Sequence, residues 1–191
     1  VDTSAARINI LTTNTTMISN VGNTPRNNQT WLSVTLTDTF AKKSDVDFDL
    51  SPFNLPRTLR GEMVVSIAAS AKPSSGGKQI EMYFIVKLRK VSGSESDIVS
   101  VQSDTWQTGT TEVQNPNQFL IPLTVPSTPY KKGDVLRVTI EMWARNSIGG
   151  TAIGKFGYGH DPSNNFTPDT YTESNGITSR LMCFIPFKLD I

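Results

Sequence analysis

The chain has 191 residues, enough for one domain whose core needs no disulfide or metal to support it. Its 18 basic and 17 acidic residues leave a formal net charge of +1, which excludes the strong positive field of a nucleic-acid-binding surface. No apolar run approaches the ~18 residues of a membrane-spanning helix, and a single cysteine, Cys183, excludes an intrachain disulfide.

In chain order, Ala6 to Leu11 predicts a first strand with Ile8 and Ile10 on one face. Thr12 to Thr30, rich in Thr and Asn, reads as a long surface loop. Trp31 to Phe40 alternates, with Leu32, Val34 and Leu36 on one side. Asp45 to Leu50 sends Val46, Phe48 and Leu50 inward and Asp45, Asp47 and Asp49 outward. Pro52 and Pro56 interrupt the pattern before Leu59 to Ala71, where Met63, Val65, Ile67 and Ala69 share a face. A Ser- and Gly-rich turn leads to Gln79 to Val91, the clearest strand, with Ile80, Met82, Phe84, Val86 and Leu88 inward.

A hairpin at Ser92-Gly93-Ser94 returns through Ile98 to Gln102. After a polar stretch from Gln107 to Gln118, Phe119, Ile121, Leu123 and Val125 form another strand. The turn Tyr130 to Asp134 feeds Val135 to Ala144, with Leu136, Val138, Ile140 and Met142 inward. Gly149 to Tyr158 reads as a glycine-rich strand or bulged edge, and Gly159 to Thr178 as a loop. Ser179 to Ile191 closes the chain, with Leu181, Cys183, Ile185, Phe187, Leu189 and Ile191 on one face.

No segment keeps a 3.6-residue apolar period over eleven or more positions, so no substantial helix is expected. Eight to ten short strands with turn signals between them predict an all-β fold: a single antiparallel β-sandwich domain over residues 1–191. A jelly roll of two Greek keys suits this strand count, and an immunoglobulin-like sandwich is the alternative.

The candidate chemical groups point away from catalysis. His160 is the sole histidine, and its neighbour Asp161 cannot orient its ring in a tight Gly-flanked turn, so no Ser–His–Asp relay is expected. Asp45, Asp47 and Asp49 are spaced too far apart along an extended strand to share one calcium ion, so a solvated face is the expectation. No phosphate loop, zinc spacing or paired carboxylates stand out, and no cofactor is expected. Cys183 falls on an apolar strand face and reads as an inert, buried thiol. Lys132-Gly133-Asp134 matches an integrin-type tripeptide but reads as a strand-entry turn. Asn14, Asn28 and Asn165 head glycosylation sequons at a frequency that composition alone explains. Trp31 and Trp143 lie opposite their strands' apolar sets and are candidate exposed aromatics, for protein contacts or for stacking on a sugar; Trp106 is a third candidate for such a platform.

Three short stretches, Lys131 to Trp143 (KKGDVLRVTIEMW), Gly157 to Pro162 (GYGHDP) and Ile185 to Asp190 (IPFKLD), resemble a group of virion proteins of archaeal viruses and related phages. The resemblance covers about a third of the chain. It implies a jelly-roll-like capsid, turret or decoration subunit that assembles with copies of itself or with another capsid protein, and it carries over no catalytic residue. The expectation is therefore a non-enzymatic structural protein located in the virion. Its aromatic-rich turn and loop, with Tyr158, His160, Asp161, Phe166 and Tyr171, are the expected subunit contacts. The rival expectation is a carbohydrate-binding or adhesin-type sandwich at a cell or virion surface.

Overall fold

Alternation of apolar and polar residues dominates the chain, and a period of two can bury a continuous face only in strands. The computed structural model describes residues 6–10, 17–18, 32–113, 115–158, 181–185 and 187–188. Every regular element among them is a strand: β1 (Ala6–Ile10), β2 (Met17–Ile18), β3 (Leu32–Leu36), β4 (Ala41–Asp49), β5 (Arg57–Pro73), β6 (Ile80–Ser92) and β7 (Ser94–Gln102). These are followed by β8 (Trp106–Gln107), β9 (Asn115–Tyr130), β10 (Val135–Asn146), β11 (Ala152–Tyr158), β12 (Leu181–Ile185) and β13 (Phe187–Lys188).

All pairings are antiparallel and fall into two sheets. The smaller sheet has the order β4-β10-β6-β7, with β8 on β6. The larger runs β2-β1-β12-β5-β11-β3, with β9 and β13 also on β5. Because β9 follows β5 from Arg57 to Ala71, it occupies one edge of that strand. β13, β12 and β11 share the other edge in succession. The strands β1, β4, β5, β6, β7, β9, β10 and β12, numbered one to eight, give sheets ordered 1-8-3-6 and 2-7-4-5. That interleaving is a jelly roll of two Greek keys, and it excludes the immunoglobulin-like alternative.

The inward faces meet as expected. Ile80, Met82, Phe84, Val86 and Leu88 on β6 are fully buried, as are Met63, Val65 and Ile67 on β5. Phe84 crosses from the smaller sheet to meet Phe119 of the larger edge-on, with ring centroids 5.0 Å apart. Cys183 lies in this core, and burial pushes its thiol pKa upward, as an inert thiol requires.

Several boundaries differ from the sequence expectation. β9 runs from Asn115 to Tyr130, although Pro116, Pro122, Pro126 and Pro129 and the polar flanks suggested a shorter strand. An edge strand tolerates proline where the missing N–H faces away from its neighbour. β4 starts at Ala41, before a bulge in which the partner of Met142 is Ser44 and the partner of Trp143 is Lys42. Lys43, the extra residue, sends its Nζ to the Thr35 carbonyl at 2.9 Å. β2 falls within the expected loop over residues 12–30, and β8 runs up to the start of the expected polar stretch at Gln107. The other residues of that loop, and residues 159–178, lie outside the described residues.

Gly154 on β11 shows how tightly the core closes. A Cβ placed there meets Leu36 Cδ1 at 2.8 Å and Phe156 Cε2 at 2.7 Å, closer than real contacts allow. Gly154→Ala is therefore expected to lower stability by about 1–3 kcal/mol through overpacking, read as a fall in the denaturation midpoint.

Candidate interaction surfaces

Strand parity sends most charged residues of β4, β6, β7 and β10 to the outward face of the smaller sheet, and register then pairs them; Lys90, near the end of β6, turns instead to Asp134. Arg137 on β10 grips Asp49 on β4 with two bonds, Nε to Oδ1 at 2.6 Å and Nη2 to Oδ2 at 2.7 Å. Its Nη1 also donates to Asp47 Oδ2 at 3.2 Å. The planar guanidinium matches the carboxylate fork. The bond from Asp49 is the largest influence on Arg137 and drives its pKa up against partial burial. Arg89 on β6 bridges in the other direction to Asp97 and Glu95 of β7, each at 2.6 Å. Asp45 pairs with Lys42. The three aspartates keep the solvated face expected of them, with side chains 39% to 45% exposed, and answer cations of the same sheet as well.

Glu141 is the centre of this lattice. It is only 4% exposed despite facing outward, because longer side chains close over it. It accepts bonds from Lys87 Nζ at 2.7 Å and from the Trp143 indole N–H at 2.9 Å. Burial pushes its carboxyl pKa upward. The bonds from Lys87 and Trp143, with the charges of Lys87 and Lys42, outweigh burial, and the net shift is downward.

Trp143 is half-buried on the outward face, where its parity placed it. Its ring lies nearly parallel to that of Tyr83, its cross-strand partner, at 6.1 Å and 8°. Phe40 tilts against Tyr83 at 4.9 Å, and the Arg145 guanidinium sits 4.7 Å from the Phe40 ring. Glu81 holds Arg145 at 2.6 Å. The outward parity of Tyr83 was readable from the alternation of β6. The meeting of Phe40, Tyr83 and Arg145 with Trp143 depends on register and was not.

Trp106 does not join this group. It packs edge-on against the buried Phe119 at 6.4 Å, at the side of the sandwich. There a cleft of about 280 Å³ opens between Asp104 and Trp106 on one wall and Asn117, Gln118 and Leu120 of β9 on the other. Leu120 is 66% exposed. Tyr158 ends β11 opposite Ala69, and its side chain is not among those described. Trp31, His160, Asp161, Phe166 and Tyr171, and the sequon residues Asn14, Asn28 and Asn165, lie outside the described residues.

The turn between β9 and β10 is built by its own residues. Gly133 adopts a φ of 90°, which L side chains rarely enter. Asp134 is 4% exposed and accepts bonds from the Lys131 N–H at 2.7 Å and from Lys90 Nζ at 2.9 Å. A carboxylate so engaged is a turn clasp, and the Lys132-Gly133-Asp134 tripeptide serves as the strand-entry turn. Hydrogen bonds from Ser92, the Lys131 N–H and Lys90, in that order, hold the Asp134 carboxyl down at about 2.

Because the folded pKa lies below the ordinary carboxyl value of 3.8, Asp134 stabilises the fold fully above about pH 4. That contribution fades as pH falls from about 4 to about 2. Asp134→Asn should lower the melting temperature at pH 7 and narrow its gap from wild type towards pH 2, measured by thermal denaturation across pH. Glu141→Ala should cost about 1–3 kcal/mol in chemical denaturation, because the Lys87 ammonium and the Trp143 N–H lose their acceptor. Glu141→Gln keeps an acceptor oxygen and should cost less.

No family model matches the chain, and no curated protein does. Among solved structures, a CocE/NonD family hydrolase from Staphylococcus aureus matches 96% of this chain with 36% of its own, at 14% identity and a TM-score of 0.51. An α-amino acid ester hydrolase matches 97% of this chain with 36% of its own, at 11% identity and a TM-score of 0.52. The VP2 protein of infectious bursal disease virus, from derived T=1 particles, matches 90% of this chain with 38% of its own, at 9% identity and a TM-score of 0.43. The chain thus spans little more than a third of the length of these proteins. At such identities the hydrolase likeness is one of fold alone and transfers no residue role, and the looser viral likeness carries no argument.

Proposed function

We propose that the chain is a non-enzymatic structural subunit of a virus particle, a capsid, turret or decoration protein that works by assembling with copies of itself or with another capsid protein. The observation that carries the reading is the outward face of the smaller sheet. Lys42, Lys87, Arg89, Arg137 and Arg145 each pair there with a carboxylate of the same face. Half-buried Phe40, Tyr83 and Trp143 lie beside them in fixed contact. A face whose charges are answered internally presents no long-range repulsion to an identical copy, and its side chains are ordered before contact. Symmetric assemblies need such surfaces, and stable ones bury ~1,200–2,000 Å² in total.

A second reading, a carbohydrate-binding or adhesin-type module at a cell or virion surface, is favoured by the near-parallel Tyr83 and Trp143 rings on that same face.

Sedimentation velocity and electron microscopy at micromolar concentration separate the two. The structural reading expects discrete oligomers or closed shells. A protein that stays monomeric at every concentration, and is retarded in polysaccharide gels until Trp143 is replaced by Ala, would overturn it in favour of the second.

A further inference from the structure

Resting on the reading that the chain assembles with its own copies, we infer that the free edge of β9 is a self-pairing edge, used at Gln118 and Leu120. The argument begins with the other edges. An unpaired strand edge is a template for another chain unless charge, brevity or a cap blocks it. β4 carries Lys42, Lys43, Asp45, Asp47 and Asp49, and β7 carries Glu95 and Asp97. Charges at this density blunt both edges, and two antiparallel copies of β7 would also set its acidic residues against each other. β3 is five residues long, and Lys43 occupies its Thr35 carbonyl. β2 is two residues long. β9 is sixteen residues long, contains no charged residue, and pairs among the described residues with β5 alone.

Register shows which of its backbone groups face outward. The Ser74 N–H donates to the Ile153 carbonyl at 3.0 Å, so even-numbered residues at this end of β5 bond toward β11. Odd-numbered residues of β5 therefore bond toward β9, and their partners there are Asn117, Phe119, Ile121 and Leu123. The even-numbered residues of β9 point their N–H and C=O groups away from β5. Pro116, Pro122 and Pro126 fall in that set and offer no N–H. The donors left on this stretch of the edge are Gln118, Leu120 and Thr124. Gln118 and Leu120 are consecutive in the set, lie between two prolines, and line the cleft beside Trp106.

A strand of a second copy, running antiparallel about a two-fold axis, satisfies these donors with the same residues of its partner. The axis passes through Phe119, so that Gln118 of each copy meets Leu120 of the other. The exposed Leu120 and the half-buried Trp106 supply the apolar contact. The flanking prolines limit the length of the ladder, and the two-fold, which consumes the same edge in both copies, ends the pairing at two instead of a fibre.

The test uses the full chain in sedimentation equilibrium. Leu120→Pro removes one donor at a position whose N–H the chain's own sheet does not use. It should weaken self-association on the order of tenfold or more without lowering the melting temperature. Leu55→Ser, which removes an equally exposed apolar side chain elsewhere, should leave association unchanged. Hydrogen exchange on the wild type needs no variant: the Gln118 and Leu120 amides should exchange slowly in the assembled protein and quickly on dilution. Assembly that survives Leu120→Pro, or fast exchange of both amides within the assembly, overturns the inference and leaves the structural reading standing. A wild type that never associates overturns both.

Discussion

The seventeen-residue strand β5 is the constraint on which the arrangement depends. One of its edges is taken along nearly its whole length by β9, and the other by β13, β12 and β11 in turn. A strand saturated on both edges has no freedom of register, since a slip of one residue would carry Met63, Val65 and Ile67 out of the core. The same saturation pushes β9 to the margin of the larger sheet. Its prolines become tolerable there, and its backbone becomes available to other molecules.

The smaller sheet meets the opposite problem. Its inward face is mostly apolar, and its outward face is crowded with carboxylates that would repel one another if left alone. The arginines of the central strands β6 and β10 resolve this by reaching sideways, Arg137 to β4 and Arg89 to β7. Each joins two strands through side chains as well as backbone. Surface pairs are weak one by one, but a lattice shares the entropic cost of ordering each side chain among several bonds. Glu141 shows the limit of that design: a carboxylate closed over by its neighbours is stabilising while Lys87 and Trp143 both answer it.

Much of this was legible in the sequence. The inward sets of β6 and β10 follow from strict alternation, and so does the outward placing of Trp143. The eight core strands and the Tyr130 to Asp134 turn were readable for the same reason. The bounds of β9 were not, because Pro116, Pro126 and Pro129 signal loops unless a strand is known to lie at an edge, and edges are a property of topology. The Arg137–Asp49 fork joins residues far apart in sequence and exists only once β4 and β10 are in register. The cation partners of the solvated Asp45, Asp47 and Asp49 were not readable, because a pattern within one strand carries no information about the neighbour that will face it. Of the aromatic group on the outward face, sequence supplied Trp143 and the direction of Tyr83, while the meeting of Phe40, from a corner, with Arg145 of Trp143's own strand depends on the fold.

The bulge at the start of β4 has a wider effect than its single extra residue suggests. Counting back from Asp49 without it, Lys43 would lie against Trp143, and Lys42 would be driven inward beside the buried Ala144. The inserted position resets the phase, so that Ala41 takes the inward place and both ammonium groups stay in water. It also releases Lys43 from the ladder to reach Thr35, a carbonyl of the opposite sheet. A one-residue deletion here would thus do two harms at once, sinking a charge into hydrocarbon and cutting a rivet between the two layers of the sandwich.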